Sequence, residues 1–397
     1  MQLVSDEMSA YVGNSSWIRK MFEAGIELKK KYGEDAVCDF SLGNPDLPPP
    51  AAIKETMLKL AENADKPFAL GYMPNFGFPD VRETLSHKVT EEQGVKVAGS
   101  DLIMTCGAAG ALNVFFRAVL NPGDEVICPA PVFVDYGAYV GTHGGVLKKV
   151  DSTPGDFTLD IAAIEAGITD KTCVVLINSP HNPTGVVYSK EQLEELGKML
   201  TRKSEGRKRP ILLLADEPYR FLAFDGVEVP SVLQAYTYSA VASSFSKNLA
   251  LAGERVGYIV VNPEMPGKEQ LLSVMTMANR FLGFINAPTL GQRLMQGAID
   301  SQVDISIYDR RRKAMAEVLD AAGYEYPMPK GAFYFFVKAP GGDDVAFCAK
   351  LMEEKILGVP GTGFQYPGYF RLSFCLSEEI IRRSAPGFKR AMEKATA

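Results

Sequence analysis

Between residues 100 and 260, short apolar runs alternate with stretches of helical period. The runs are "DLIMT", "DEVICP", "TCVVLIN", "ILLLAD", "AVASS" and "VGYIVV", and "GALNVFFRAVL" is the first of the helical stretches. This alternation predicts an α/β domain with a largely parallel sheet. Between "TCVVLIN" and "ILLLAD", Ser189-Lys190-Glu191-Gln192 has the form of a capping box and predicts a helix running to about Lys203. The last hundred residues change character. A helix is expected around Ile307 to Ala322, then the Gly/Pro-punctuated "YPMPKGAFYFFVKAP", another helix, and a last strand "YFRLSF". These read as a smaller α+β unit, which the N-terminal segment is free to join.

With 397 residues, 46% of them hydrophobic and 23% charged, the chain can bury the cores of one large or two medium domains. A net charge of −6 argues against nucleic acid or an anionic membrane as partner, because both reward clustered Lys and Arg. The one basic run, "RKSEGRKR" from Arg202 to Arg209, is interrupted by Ser204, Glu205 and Gly206 and reads as a solvated loop. Six cysteines lie scattered without a CxxC pair, several within apolar runs, which suits reduced thiols in a cytoplasm. Three separated histidines suggest no metal site. The N-terminus lacks a signal-peptide core and no run of 18 uncharged apolar residues occurs, so neither export by that route nor a membrane span is expected.

Ligands of parallel α/β sheets collect beyond the carboxyl ends of the strands, so the polar residues that end each apolar run carry the functional information. In "TCGAAGALNVFF", the small residues Gly107, Ala108 and Ala109 open a helix and leave N–H groups accessible to an anion, although a tight turn would look the same. "NSPHNPTG" is a rigid loop that fixes the amide of Asn182 for a ligand or for the turn itself. In "ILLLADEPYR", Asp216 ends a buried strand with Tyr219 three residues on. It needs a partner cation or ligand unless it caps a helix. In "SSFSKNLALAGERVGY", Lys247 follows a strand among small residues, and Arg255 lies eight positions later at the entrance to the next strand, an unusual address for a surface lysine. One ligand with an anionic group, an aromatic nitrogen and a carbonyl that condenses with an amine meets all of these demands. Pyridoxal phosphate is such a ligand.

From "SLGNPDLPPP" to "YFRLSF" the chain closely resembles the class I/II aminotransferases, the fold-type I pyridoxal phosphate enzymes related to aspartate aminotransferase, in the order, spacing and type of these residues. The resemblance implies a large domain on a mostly parallel seven-stranded sheet (residues 48–285) and a smaller α+β domain (286–397), with residues 1–47 as an N-terminal segment of the latter. It implies that Lys247 is the Schiff-base lysine and the acid–base shuttle. Asp216 would pair with the pyridine nitrogen, and Tyr219 and Asn182 would bind the phenolic oxygen. Ala108 and Ala109, beside Gly107, would bind the phosphate with Ser244, Ser246 and Arg255, while Phe133 would stack on the ring. Tyr72 would reach the phosphate of a neighbouring subunit in a homodimer with shared sites, and Asn286 would contact the cofactor. Arg371 would clamp the substrate α-carboxylate, with Gly43 and Asn182 touching the same group.

Ala109 departs from a branch of aspartate-using relatives that place a lysine there for the distal carboxylate. Trp17 and Ile18 are candidates for lining the side-chain pocket, with plain packing as the other reading. The function implied is amino transfer from an L-amino acid to a 2-oxo acid such as 2-oxoglutarate by a ping-pong mechanism. A carbon–sulfur β-lyase on the same scaffold would use the same lysine and carboxylate. A non-catalytic ligand-sensing regulator would need a basic DNA-binding head, and the roughly forty residues before "SLGNPD" lack basic clustering.

Overall fold

The computed structural model of the protein describes residues 3–6, 8, 9 and 17–396, without the side chains of residues 18 and 19. Its strands are β1 (Cys38–Asp39), β2 (Leu102–Thr105), β3 (Glu125–Pro129), β4 (Val146–Val150), β5 (Thr172–Asn178), β6 (Leu212–Asp216), β7 (Ser239–Ser244), β8 (Gly257–Val261), β9 (Tyr334–Lys338), β10 (Ile356–Leu357), β11 (Val359–Pro360) and β12 (Tyr369–Ser373). Seven of them make one sheet in the order β2-β8-β7-β6-β5-β3-β4. All neighbours in it run parallel except β8, which is antiparallel to both β2 and β7. The chain thus has the fold-type I α/β architecture that its alternating pattern predicts.

The apolar runs are continuous because the central strands are covered on both faces. Val175, Ile177, Leu213, Ala215 and Val241 enter one core, while Val174, Leu176, Leu214, Ala240 and Ala242 enter the other, as the two-residue alternation of a strand requires. Strand β4, "VLKKV", is not among the strands that the apolar runs predict. It is an edge strand with Lys148 and Lys149 in its middle, a composition that hides the strand and also discourages further pairing. The capping box forms as expected. Ser189 Oγ accepts from Gln192 N at 3.2 Å and Gln192 Oε1 from Ser189 N at 3.0 Å, at the start of a helix Lys190–Ser204 whose Leu193, Leu196 and Leu200 face the core.

The smaller unit holds the antiparallel sheet β11-β12-β9 and the helix Ile305–Ala321, which is capped by Asp304. Phe40, Phe333, Phe335, Phe370 and Phe374 form the centre of its core. Parallel pairing of β1 with β10 stitches the N-terminal segment to this unit. Ala287, Leu294, Met295 and Ala298 pack into the core of the large sheet, whereas a boundary at 286 would place them in the smaller unit. Packing changes hands between Ala298 and Val303.

The basic run is more than a solvated loop. Arg207 donates to the carbonyls of Thr169, Asp170 and Thr172, Arg209 pairs with Asp124 and the Val119 carbonyl, and Arg202 and Lys203 pair with Glu165. It staples neighbouring turns to the sheet. All six cysteines are free thiols. Among the described residues no helix is long and apolar enough to cross a membrane.

Candidate active site

The carboxyl ends of β5, β6 and β7 bring Asn178, Asp216 and Ser244 side by side, with Asn178 opposite Asp216 in register. They border a cavity of about 320 Å³ between the large sheet and the small one. Gly43, Ala108, Ala109, Phe133, Asn182, Asp216, Tyr219, Ser244, Ser246, Lys247, Arg255 and Arg371 all line it, drawn from strand ends, a helix start and loops along most of the chain.

Asp216 Oδ2 accepts a 2.6 Å hydrogen bond from the Tyr136 hydroxyl, and Oδ1 is buried without a protein partner. Burial pushes this carboxyl up to about 7; the Tyr136 hydrogen bond opposes the rise and the Glu217 charge adds to it. Lys247 lies in the turn after β7 and its Nζ donates to the Gly43 carbonyl at 2.6 Å. Burial lowers its pKa to about 8, against an opposing influence from Cys375 and with help from the Arg371 and Arg255 cations.

Beside the lysine, the helix Gly107–Val119 points its N-terminus at the cavity. Gly107 has φ +72°, and a Cβ there would come within 2.6 Å of Arg255 Nη2, so only glycine lets the guanidinium lie along the helix start. Arg255 is held by the carbonyls of Ala252 (3.0 Å) and Cys106 (3.4 Å). Backbone N–H groups, two serines and a guanidinium thus converge on one corner, a set of donors suited to an anion.

On the opposite wall, Arg371 from β12 is 2% exposed. It donates to Asn182 Oδ1 at 3.0 Å and to the Ser41 carbonyl at 2.7 Å, and its guanidinium lies 4.5 Å from the Tyr334 ring centre and 4.9 Å from that of Phe364. Its Nε has no protein partner. Asn182 is itself oriented by Asn178, whose Oδ1 accepts from its backbone N–H at 2.6 Å while Nδ2 donates to the Asp216 carbonyl at 2.6 Å.

Three sequence candidates do not line the cavity. Tyr72 is 91% exposed, Gly107 lies behind Arg255, and Asn286 bonds its own neighbour Ala287 while its buried Oδ1 has no partner. Trp17 packs against Gly363, and the side chain of Ile18 lies outside the described residues. Sequence reasoning missed Tyr136, Asn178 and Tyr334. Tyr136 had a signal, since it follows Phe133 by three residues in "PAPVFVDY", and Asn178 ends a strand as Asp216 does; Tyr334 is hidden in an aromatic run.

A family model described as aminotransferase class I and II matches residues 35–385. The chain is 31% identical to the aspartate/prephenate aminotransferase of Thermus thermophilus, covering 93% of this chain and 94% of that one. It is 31% identical to the aspartate aminotransferase of Thermotoga maritima, covering 92% and 94%. Among solved structures, an aminotransferase from Eubacterium rectale superposes with a TM-score of 0.95 at 37% identity over 100% of both chains. The Thermus thermophilus aspartate aminotransferase with maleate superposes with a TM-score of 0.88 at 28% identity, covering 98% and 100%. With matches of that extent behind a site of this composition, the chain belongs to the class I and II aminotransferases and is a pyridoxal phosphate-dependent transaminase.

Proposed function

We propose that this cavity carries out amino transfer between an L-amino acid with a neutral or aromatic side chain and a 2-oxo acid, with Lys247 and Asp216 as its chemical pair. One observation carries the assignment. A half-buried lysine with a lowered pKa and a buried carboxylate with an unpartnered oxygen face the same cavity, next to an anion corner. Their chemistry fits the cofactor. Asp216 Oδ1 would accept the pyridine N–H, the corner at Ala108, Ala109, Ser244, Ser246 and Arg255 would take the phosphate beside Gly107, and Phe133 would cover the ring. Tyr219 and Asn182 would hold the phenolic oxygen, and Lys247 would hold the aldehyde carbon. Pyridoxal phosphate, when bound, supplies an aldehyde that condenses with amines and a ring that accepts the electrons left when Cα loses its proton. The Lys247 amine would take up the Cα proton and give it back, a task that suits a pKa near the working pH.

Arg371 would receive the α-carboxylate, with Gly43 and Asn182 beside it. The described cations lining the cavity are Lys247, Arg255 and Arg371, and each has one of these tasks. None is left for a distal carboxylate on the donor, and Ala109 adds none. This supports a neutral or aromatic donor, unlike the aspartate in the names of the Thermus and Thermotoga proteins.

The same reading makes the enzyme a homodimer. Phe68 (90% exposed) and Leu70 are exposed apolar residues bordering a groove of about 580 Å³, with the exposed Tyr72 two residues on, and a second copy would cover them. Tyr72 would then reach the neighbour's phosphate, and Asn286 would act near its own. Free thiols, all buried except the half-buried Cys106, favour a cytoplasmic setting. The two packed cores support a division into a large unit and a smaller one that includes residues before 48.

The test is a half-reaction screen in which holoenzyme is mixed with each amino acid and the absorbance of bound cofactor is followed. Neutral or aromatic donors should discharge it, a 2-oxo acid should restore it, and Lys247→Ala should retain no cofactor after borohydride. Release of pyruvate and ammonia from cystathionine without a keto-acid acceptor would instead establish a β-lyase.

A further inference from the structure

The run "AFYFF" at 332–336 buries five consecutive residues, and of its four aromatic rings only that of Tyr334 carries a hydroxyl. A residue serving the core alone has no use for that oxygen, since Phe333, Phe335 and Phe336 pack without one. The oxygen has a definite address. In the antiparallel register of β9 and β12, Tyr334 lies opposite Ser373 and Phe336 opposite Arg371, so Tyr334 and Arg371 share a face as diagonal neighbours. That places the ring beneath the guanidinium at 4.5 Å, while the hydroxyl reaches 2.9 Å from the hydroxyl of Tyr219 in the turn after β6. The side chain therefore spans the gap between the small sheet and the strand ends of the large one. Gly43 leaves room for it, because a Cβ at Gly43 would run into the Tyr334 hydroxyl.

We propose that Tyr334 is a positioning residue of the transamination site, its hydroxyl donating to Tyr219 so that the Tyr219 proton stays directed at the cofactor, and its ring seating Arg371. The proposal rests on the aminotransferase reading of the cavity. Two hydroxyls at this distance are joined by a single O–H···O bond, so whichever donates decides where the other's proton points. Donation by Tyr334 leaves the Tyr219 O–H free for the phenolic oxygen. The cation–π contact independently fixes the plane in which Arg371 offers its N–H groups.

The measurement uses holoenzyme and separates the two ends of the side chain. Tyr334→Phe keeps the ring and removes the hydroxyl. It should move the pH midpoint of the bound cofactor's visible absorbance by about half a unit or more and lower kcat about three- to tenfold, with the amino-acid KM within about twofold of wild type. In a Tyr219→Phe background the same substitution should change neither quantity, because its route of action is gone. Tyr334→Leu should in addition raise KM about fivefold through loss of the ring under Arg371. An unmoved midpoint in Tyr334→Phe, or fully additive effects in the double variant, would overturn the proposal even if Tyr334→Leu does not fold. A wild-type protein that binds no cofactor and transfers no amino group would sink the underlying reading first, a result these variants cannot imitate.

Discussion

The two walls of the cavity handle buried charge in opposite ways. On the large-sheet wall, Asp216 has one hydroxyl donor for two oxygens and Lys247 has one carbonyl acceptor. Both respond by moving toward neutrality, the carboxyl to about 7 and the amine to about 8. On the small-sheet wall, Arg371 sits among two acceptors and two aromatic faces. A guanidinium does not discharge within a protein, so the fold must supply dipoles to hold it. The segment behind it is arranged accordingly. The carbonyls of Ser41 and Gly43 accept from Arg371 and Lys247, and those of Leu42 and Asn44 flank the single Cys375 thiol at 3.4 and 3.3 Å. Charge that can discharge thus lies where protons and covalent bonds must change, and charge that cannot, on Arg371 with its Nε still unpartnered, lies where a permanent cation must meet a carboxylate.

The largest expected effect comes from removing the under-compensated carboxylate. Asp216→Asn should lower kcat about 10²–10³-fold with much less change in KM, the size seen when one preorganised electrostatic group is removed. In cofactor-free protein the same change should act on stability with a defined sign. The folded pKa of Asp216, about 7, is raised above its ordinary 3.8, so its contribution is fully present below about pH 4 and is lost as pH rises through 7. Wild type should therefore lose melting temperature between about pH 4 and 7 more steeply than Asp216→Asn. Parallel slopes would erase the contrast between the walls. Arg371→Lys tests the other wall. A point charge cannot replace a fork held by Asn182 and Ser41, and KM for the amino acid should rise about 10–100-fold while kcat falls less. Steady-state kinetics with one donor and one acceptor would show this.

The walls also differ in how far the sequence reveals them. The large-sheet wall is legible because each functional residue ends an apolar run. Asp216 after "ILLLA", Lys247 after "AVASSFS" and Asn182 after "TCVVLIN" occupy positions where a buried polar group needs a reason. The small-sheet wall yields only Arg371 and Gly43, and those through family resemblance. Tyr334 is lost among phenylalanines, and its role depends on a register between β9 and β12 that no local pattern encodes. Tyr136 is lost differently. Its partner Asp216 is 80 residues away, and pairing of that range is a product of tertiary packing. The same limit explains why β4 went unseen and why the helix Thr289–Gly297 joins a core other than the one its chain position suggests.

The smallest effect sharpens the comparison most, because it asks why Lys247 is displaced. A lysine with a pKa of 10.5 is uncharged in about one molecule in 3,000 at pH 7, and one with a pKa near 8 in about one in ten. Only the uncharged amine attacks an aldehyde. The rate at which cofactor-free protein captures pyridoxal phosphate, fixed by borohydride at timed points, should rise about tenfold per pH unit below the midpoint and level off above about 8. Burial is the leading cause of the displacement, with the Arg371 and Arg255 cations behind it. Arg255→Gln should therefore raise the midpoint by less than about one unit, although it weakens the anion corner. A midpoint near 10 in that variant would make neighbouring charge the main cause. The large-sheet wall would then be governed by its cations, and the distinction drawn from discharge on burial would fail at Lys247 while standing at Asp216.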